Sequence, residues 1–230
     1  MENGYEIVEN FLTKEEHQYY LDVCHEVYEK AQGNEHNHDN YSWNEHGNLN
    51  KVQGACNHEP RFLELASHES LTSRAKKYFN TKDTIDVYIS KFFPMKPRVG
   101  WSTFMHQDNY YFEGDPRKIV SCAVYLEDTN KENGCLRLVK DSHKKGILPH
   151  DVESGISGIR WVDEEILKDY EILDLELESP YAVFFDINMV HGCYPNISDR
   201  TRFSLAWEYI ETKNNDVIMN DYVWCDRNTI

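Results

Sequence analysis

Four residues of this 230-residue chain have the types and spacing to hold a reactive metal and an organic acid. His106 and Asp108 flank a single residue, His191 lies far downstream, and Arg202 follows that histidine by eleven positions. Residues two apart on a strand point to one face, so His106 and Asp108 could ligate one ion while Gln107 points away. Two imidazoles and one carboxylate form the facial triad of non-haem Fe(II), which leaves positions open for a co-substrate and oxygen. The spacing therefore predicts an iron site that His191 completes from a neighbouring strand.

Arg202 begins a predicted strand on which large apolar residues alternate with polar or small ones. An arginine that enters the interior of a barrel needs an anion, and its planar guanidinium matches a carboxylate through two parallel hydrogen bonds. Ser204 shares the face of Arg202 and could add a hydroxyl to the same carboxylate. The pattern predicts a dicarboxylate co-substrate that chelates iron at one end and meets Arg202 at the other. Arg200 has the same parity, lies in a turn, and is the competing candidate.

The elements that must position these residues begin with helices. A capping box formed by Thr13 and Glu16 opens a helix that we expect to end near Lys30. Segment 60–79 has the apolar spacing of two helices with a break near His68. The polar segment 32–58 predicts a long loop, which is either a solvated loop that happens to be rich in histidine or a lid over the site. Three of its histidines, His36, His38 and His46, would be metal ligands only under a different interpretation.

The part of the chain after residue 80 has the pattern of β-strands. Its runs of β-branched and aromatic residues are separated by turn clusters, and they cover 85–93, 103–108, 119–127, 136–139, 181–186 and 202–210. Helices first and many short strands afterwards predict a mainly β fold with helices packed outside a sandwich or barrel. We expect one domain over 1–230, with a mostly helical part, 1–80, packed on a barrel core, 81–230.

Composition and charge narrow the possible partners. The net charge is −16, from 24 Lys and Arg against 40 Asp and Glu, so the surface would repel nucleic acid and anionic membranes. None of the six cysteines lies in a Cys-x-x-Cys pair, which excludes a zinc ribbon and fits reduced thiols. No basic, apolar leader opens the sequence, and no apolar run approaches the ~20 residues of a membrane span. These features predict a cytoplasmic protein that acts on a small molecule.

Taken together, the motif residues resemble the phytanoyl-CoA dioxygenase-like family of Fe(II)/2-oxoglutarate oxygenases. The resemblance also includes Asn133-Gly134-Cys135-Leu136 before Ser142-His143-Lys144, and the opening Glu9-Asn10-Phe11-Leu12-Thr13. It implies a double-stranded β-helix, the jelly-roll or cupin-like barrel, with Fe(II) bound by His106, Asp108 and His191. It further implies that Arg202, with Ser204, binds the distal carboxylate of 2-oxoglutarate, and that O₂ is the other co-substrate.

Two positions bear on how far the resemblance extends. Lys140 and Asp141 stand where the family often has Pro-Gly, so we expect the loop that carries His143 to have a different shape. Asp108 is present where related halogenases lack the carboxylate and so make room for chloride. Its presence favours hydroxylation, or another oxidation, over halogenation.

The activity that the resemblance implies is hydroxylation, or another oxidation, of a C–H bond in a small molecule, with release of succinate and CO₂. The candidate substrate contacts flank the motif or lie beyond Gly134: Trp101, Asn109, Tyr110, Tyr111, Arg137 and His143. Tyr88 and Ser90 share a face of an early predicted strand and are candidate contacts for the co-substrate. The alternative is a non-catalytic barrel that binds a metal or metabolite as a sensor or interaction module. A metal-dependent isomerase or lyase is a third possibility, and it would not need Arg202.

Overall fold

The computed structural model of the chain describes residues 1–32, 40–43, 47–98, 102–152, 160–216, 218–219 and 226–230. Its helices are α1 Lys14–Gln32, α2 Ala55–His58, α3 Pro60–Ala66, α4 Glu69–Phe79 and α5 Glu164–Leu167. Its strands are β1 Tyr5–Glu9, β2 Tyr41–Trp43, β3 Leu49–Gln53, β4 Ile85–Met95, β5 Thr103–His106, β6 Phe112–Glu113, β7 Ile119–Tyr125, β8 Leu136–Val139, β9 His150–Val152, β10 Arg160–Val162, β11 Ile172–Asp174, β12 Tyr181–Asp186, β13 His191–Cys193, β14 Arg202–Glu211, β15 Ile218–Met219 and β16 Asn228–Thr229.

The first long helix, α1, begins at the predicted capping box. The amide of Thr13 donates to Glu16 Oε2 at 2.8 Å, and the amide of Glu16 donates to Thr13 Oγ1 at 3.2 Å. These two bonds satisfy backbone donors that the first turn cannot pair internally. The break between α3 and α4 falls at residues 67–68, so the predicted pair of helices is also confirmed.

The larger sheet has the strand order β1-β12-β7-β14-β4-β3-β2, with β16 added beside β4. Side chains alternate across β14, and its outer face packs against the helices with Phe203, Leu205 and Trp207. Its inner face carries Ser204 and Ala206, which pair in register with Tyr125 and Ala123 of β7. We call this side, which carries the even-numbered residues 202–208 of β14, the inner face.

A second sheet, ordered β11-β8-β13-β5, packs against the inner face. Leu136 and Leu138 of this sheet share an apolar core with Val183 and Phe185 of the larger one. Burying each such side chain stabilises the fold by roughly 1.5–3 kcal/mol. Two facing antiparallel sheets with helices outside them confirm the predicted mainly β, jelly-roll architecture.

The prediction that 32–58 is a loop is wrong for its described part. Strands β2 and β3 form a hairpin there, β3 extends the larger sheet beside β4, and α2 follows. Tyr41, Leu49 and Val52 are buried, and these few apolar residues are enough to fasten short strands at a sheet edge. The three histidines His36, His38 and His46 lie outside the described residues.

The division of the chain into a helical part, 1–80, and a barrel core, 81–230, stays a prediction. Within the first eighty residues, β1 pairs with β12 and β3 pairs with β4, so both contribute to the larger sheet. Among the helices of the described residues, none has the length and apolar character that crossing a membrane requires.

Candidate metal centre

Two antiparallel strands bring the predicted histidine ligands together. His191 opens β13 and pairs directly with His106, the last residue of β5. Directly paired residues have Cβ atoms about 4.5–5.5 Å apart, and here the imidazole centroids are 4.4 Å apart. His191 does not continue β12, which ends at Asp186, but opens a separate short strand of the second sheet, the neighbour of β5 as predicted.

Asp108 reaches the same point from just beyond β5. The predicted strand 103–108 ends at His106, Gln107 keeps an extended backbone with φ −118°, and Asp108 opens a 3₁₀ turn. Its Oδ1 lies 3.6 Å from His106 Nε2 and its Oδ2 lies 3.7 Å from His191 Nε2. One ligand atom from each of the three residues lies within 4.8 Å of the others. We call His106, Asp108 and His191 together the metal cluster.

Backbone carbonyls determine which imidazole nitrogens face the cluster. His106 Nδ1 lies 2.8 Å from the carbonyl oxygen of Phe104, and His191 Nδ1 lies 3.0 Å from that of Met189. A carbonyl can only accept, so each Nδ1 carries the proton and each Nε2 keeps its lone pair for a metal. The donor set of two Nε2 atoms and one carboxylate therefore fits Fe(II).

The electrostatics of the cluster favour the protonation states that a metal needs. Burial lowers the pKa of His191 to about 4, although the charge of Asp108 opposes that shift. Burial alone would raise the pKa of Asp108, but His191 and His106 hold it well below its usual range. Ser121 Oγ also donates to Asp108 Oδ2 at 2.8 Å. A neutral imidazole and an ionised carboxylate are the forms that bind metal.

Gln107, the residue between the two ligands of the motif, is fully buried and bonded on several sides. Its Nε2 donates to the carbonyl oxygens of Gly146 and Asn188, and its Oε1 accepts from the amide of Leu148 at 2.7 Å. Its own amide donates to His150 Nε2 at 3.1 Å. These bonds hold the backbone that joins His106 to Asp108. The sequence predicts only that Gln107 points away from the metal, and it does not predict these hydrogen bonds.

Arg202 lies buried on the inner face of the larger sheet. It is 2% exposed, its Nη1 donates to Ser204 Oγ at 2.8 Å, and its Nη2 contacts Met95 Sδ. Its Cζ lies 5.2 Å from the centroid of the Tyr125 ring. Nε is buried without a partner, and no described carboxylate is within ion-pair distance of the guanidinium. A buried guanidinium in this state fits the carboxylate of a bound organic acid. Arg200, the competing candidate, is exposed.

The other predicted co-substrate contact, Tyr88, occupies a β-bulge. Ile89 pairs with Glu208 whereas Val87 pairs with Tyr209, so Tyr88 is the extra residue on β4. The assumption that Tyr88 and Ser90 share one face is therefore wrong. Tyr88 packs near Phe112, with ring centroids 6.1 Å apart, and Ser90 donates to Asp226.

The predicted substrate contacts next to the motif lie at different distances from the metal cluster. The Tyr111 ring is 6.3 Å from that of His106, and the Tyr110 ring is 4.6 Å from that of His150. Asn109 Nδ2 donates instead to Asn188 Oδ1 at 2.6 Å. Tyr111 therefore flanks the cluster, Tyr110 packs on His150 next to it, and the side chain of Asn109 is bonded to Asn188.

The more distant substrate candidates have other neighbours. Arg137 lies over the Tyr194 ring at 4.2 Å and pairs with Asp174 at 3.4 Å. His143 packs against Gly4, where an added methyl would lie 2.3 Å from its Nδ1. Trp101 lies outside the described residues. The roles of Arg137, His143 and Trp101 in substrate binding stay predictions.

The loop that departs from the family pattern keeps a glycine-like backbone. Asp141 has φ +62°, the left-handed conformation that glycine favours and that aspartate tolerates. Next to it, Ser142 Oγ accepts from the amide of Val190 at 2.9 Å. This bond fixes the segment that leads into His191.

Comparisons with known proteins identify the family to which this chain is similar. A family model described as phytanoyl-CoA dioxygenase (PhyH) matches residues 1–204. The phytanoyl-CoA dioxygenase of Arabidopsis thaliana is 24% identical over 169 residues, which are 71% of this chain and 58% of that protein. A phytanoyl-CoA dioxygenase domain-containing protein 1 homolog of Dictyostelium discoideum is 28% identical over 129 residues, 54% of this chain and 46% of that protein. The chain thus spans about half the length of these curated relatives.

Solved structures share the fold. The crystal structure of EctD from S. alaskensis with 2-oxoglutarate and 5-hydroxyectoine has a TM-score of 0.75 at 19% identity, covering 92% of this chain and 73% of that one. The 2-oxoglutarate-dependent carbocyclase SnoK from nogalamycin biosynthesis has a TM-score of 0.73 at 19% identity, covering 96% and 84%. At such identities the similarity shows a common architecture.

Proposed function

Because this chain belongs to the phytanoyl-CoA dioxygenase family, we propose that it is an Fe(II)- and 2-oxoglutarate-dependent dioxygenase that hydroxylates a C–H bond of a small molecule. One observation carries the proposal: the metal cluster and a buried arginine that pairs with no carboxylate of the described residues face the same interior. Arg202 lies on the inner face over Tyr125, and Ser121 of the same strand as Tyr125 bonds Asp108. Both sites therefore border β7, the arginine at Tyr125 and the metal cluster at Ser121.

Each residue of the site would have a definite task. Bound Fe(II) would supply O₂ activation coupled to the oxidative decarboxylation of 2-oxoglutarate to succinate and CO₂. His106 and His191 would bind the ion through Nε2, and Asp108 would bind it through its carboxylate. Arg202 and Ser204 would hold the distal carboxylate of 2-oxoglutarate by charge-assisted hydrogen bonds. EctD, whose fold this chain shares, has been crystallised with 2-oxoglutarate, which supports this assignment.

The apolar surroundings of the cluster would keep water away from the reacting atoms. The Phe185 ring lies 4.6 Å from that of His191, and Ala123 and Tyr125 line the adjacent strand of the inner face. Tyr110 and Tyr111 would contact the primary substrate as it approaches the metal from the His106 side. Water exclusion strengthens the electrostatic interactions inside such a site.

The experiment that tests this function compares two arginines. Anaerobic protein is mixed with Fe(II) and 2-oxoglutarate, and the visible charge-transfer band of the chelate is titrated. Arg202→Ala should weaken 2-oxoglutarate binding at least about 30-fold, because losing one partner of a buried charged pair costs about 2 kcal/mol or more. Arg200→Ala is the matched control, since it removes an exposed guanidinium two residues away, and it should bind as the unaltered protein does.

Two outcomes would contradict the proposal. No chelate band in the unaltered protein would exclude a 2-oxoglutarate oxygenase. Greater damage from Arg200→Ala than from Arg202→Ala would show that Arg202 does not bind the co-substrate. A chelate band without succinate in air, for every substrate offered, would instead favour the non-catalytic metabolite-binding barrel.

A further inference from the structure

A largely buried ion pair, formed by a half-buried lysine and a buried glutamate, lies on the inner face of the larger sheet at the level of the metal cluster. Lys91 Nζ is 2.7 Å from Glu208 Oε1. Glu208 pairs in register with Ser121, whose hydroxyl donates to Asp108. Lys91 pairs with Ala206 on the neighbouring strand β4. The ion pair is therefore one strand away from the residue that bonds the carboxylate ligand.

The position of the pair along β14 separates it from the co-substrate site. Arg202 and Glu208 lie six residues apart on this strand, about 20 Å of extended backbone. Arg202 is at the level of Tyr125, whereas Glu208 is at the level of Ser121 and the cluster. 2-Oxoglutarate bound between Arg202 and the metal would occupy the part of the site on the Arg202 side of the metal. The ion pair would then face the primary substrate, the second organic molecule that enters the site.

Stability alone does not account for this pair. Glu208 is 1% exposed, and its Oε2 is buried without a hydrogen-bond partner. Desolvating an unpaired carboxylate oxygen is costly, and replacing a buried ion pair by apolar residues is often neutral or stabilising. Ile89 and Ala206, the register partners of Glu208 and Lys91, show that apolar side chains fit this face. Burial raises the pKa of Glu208, and Lys91 opposes that shift.

We propose that Glu208, held in place by Lys91, accepts a hydrogen bond from a neutral hydroxyl or amide N–H of the primary substrate. Oε2 has no hydrogen-bond partner, and a donor on the substrate would satisfy it. Lys91 already supplies the positive partner of Glu208 Oε1, so a neutral donor at Oε2 satisfies the remaining oxygen without changing the charge of the pair. The proposal rests on the dioxygenase function, and it names the substrate class as a small polar molecule with a donor close to the oxidised C–H. A saturated acyl chain of a long-chain thioester would leave Oε2 unpaired.

The first test measures stability. The double variant Lys91→Met with Glu208→Leu removes the buried pair and keeps the volume of the two side chains roughly constant. The control, Lys140→Met with Glu171→Leu, removes an exposed pair with the same 2.7 Å separation. We expect the buried-pair variant to melt at the same temperature as the control or higher. A clearly lower melting temperature would show that the pair serves stability, and it would overturn the proposal.

The second test measures recognition with matched probes. The anaerobic complex with Fe(II) and 2-oxoglutarate is titrated with cyclohexanol against methoxycyclohexane, and with 2-pyrrolidinone against N-methyl-2-pyrrolidinone. Hexadecanoyl-CoA is a separate arm, and the measurements are the shift of the chelate band and the succinate formed after air is admitted. At least one donor-bearing probe should act at a tenfold lower concentration than its methylated partner. The Lys91→Met, Glu208→Leu variant should lose this discrimination.

Other results would contradict the inference. It is overturned if methylated probes act equally well, if only hexadecanoyl-CoA acts, if no donor-bearing probe acts, or if the variant still discriminates. These results leave the chelate band of the unaltered protein intact, so the proposed dioxygenase function would stand. Absence of that band would refute the proposed function, and the substrate inference with it.

Discussion

Gly192 is the residue at which a single methyl group should most directly disturb the metal centre. It follows His191 on β13 and faces the bulge of β5, the strand that ends at His106. A Cβ at this position would lie 2.6 Å from the carbonyl oxygen of Thr103 and 3.2 Å from the amide nitrogen of Met105. Both are backbone atoms, so Gly192→Ala has to push the two strands apart.

The magnitude follows from the cost of overpacking. Extra methyl groups in a well-packed interior cost about 1–3 kcal/mol. Part of that strain is relieved when β13 and β5 separate, but a bound metal requires His191 and His106 to come back together. If the full strain returns on metal binding, the affinity for the metal falls roughly five- to 150-fold.

Anaerobic titration with Fe(II), and with Co(II) as a spectroscopic substitute, measures this affinity. Gly47→Ala is the control, because its methyl would meet nothing within 4 Å, while φ +71° still imposes a backbone cost of about 1–2 kcal/mol. The control should lose stability and keep its metal affinity. Unchanged metal affinity in Gly192→Ala would refute the conclusion that this strand pairing sets the ligand geometry.

Three further predictions concern the surroundings of the site and the helix start. Ser121→Ala removes the hydroxyl that orients Asp108, and metal titration should show about tenfold weaker binding or more; an affinity equal to that of the unaltered protein would exclude this role. The metal-free protein should lose up to about 3 kcal/mol of unfolding free energy as the pH falls from 6.5 to 4. The pKa of His191 is about 4 in the folded protein, because the imidazole is buried, and about 6.5 in the unfolded chain, so over this range protons bind to the unfolded state and stabilise it. Urea denaturation across this range checks the slope, which His191→Gln should flatten. Thr13→Ala removes the capping box and should lower the unfolding free energy by about 1 kcal/mol without changing the affinity for the metal. Urea denaturation and metal titration of the same preparation measure the two quantities.

The sequence pattern predicted the metal cluster well because ligand type and strand parity carry the information locally. His106 and Asp108 are two residues apart, and the apolar alternation after Arg202 places its side chain in the interior. The structure brings the cluster together, but it ends β5 at His106 and turns Asp108 inward through a 3₁₀ turn. The spacing therefore predicts the three residues that come together, although Asp108 reaches the cluster from a 3₁₀ turn and not from a strand.

The parts of the site that the sequence did not predict depend on contacts between distant segments. Ser121 meets Asp108 across the inner face, and His150 accepts from the amide of Gln107, 43 residues away. No local pattern encodes either contact. On an uninterrupted strand Tyr88 and Ser90 would point to the same face. The bulge at Tyr88 adds one residue to β4 and so changes which residues share a face, which the sequence pattern does not predict.

Weak local signals explain the error in the polar segment 32–58. The strands Tyr41–Trp43 and Leu49–Gln53 are short, and their pairing with each other and with β4 determines their conformation more than their own composition does. The capping box at Thr13, by contrast, is local and was predicted correctly. The long central strands were also predicted, because their continuous apolar runs are typical of strands buried on both faces.

The most direct test of the central claim is a single-turnover measurement. Anaerobic protein loaded with Fe(II) and 2-oxoglutarate is mixed with oxygenated buffer, and succinate and CO₂ are quantified against the 2-oxoglutarate consumed. We predict one succinate and one CO₂ for each 2-oxoglutarate consumed, faster when a donor-bearing substrate is present, and none above buffer iron for His191→Ala. If the protein binds both Fe(II) and 2-oxoglutarate but forms no more succinate than His191→Ala does, the chain is not a dioxygenase.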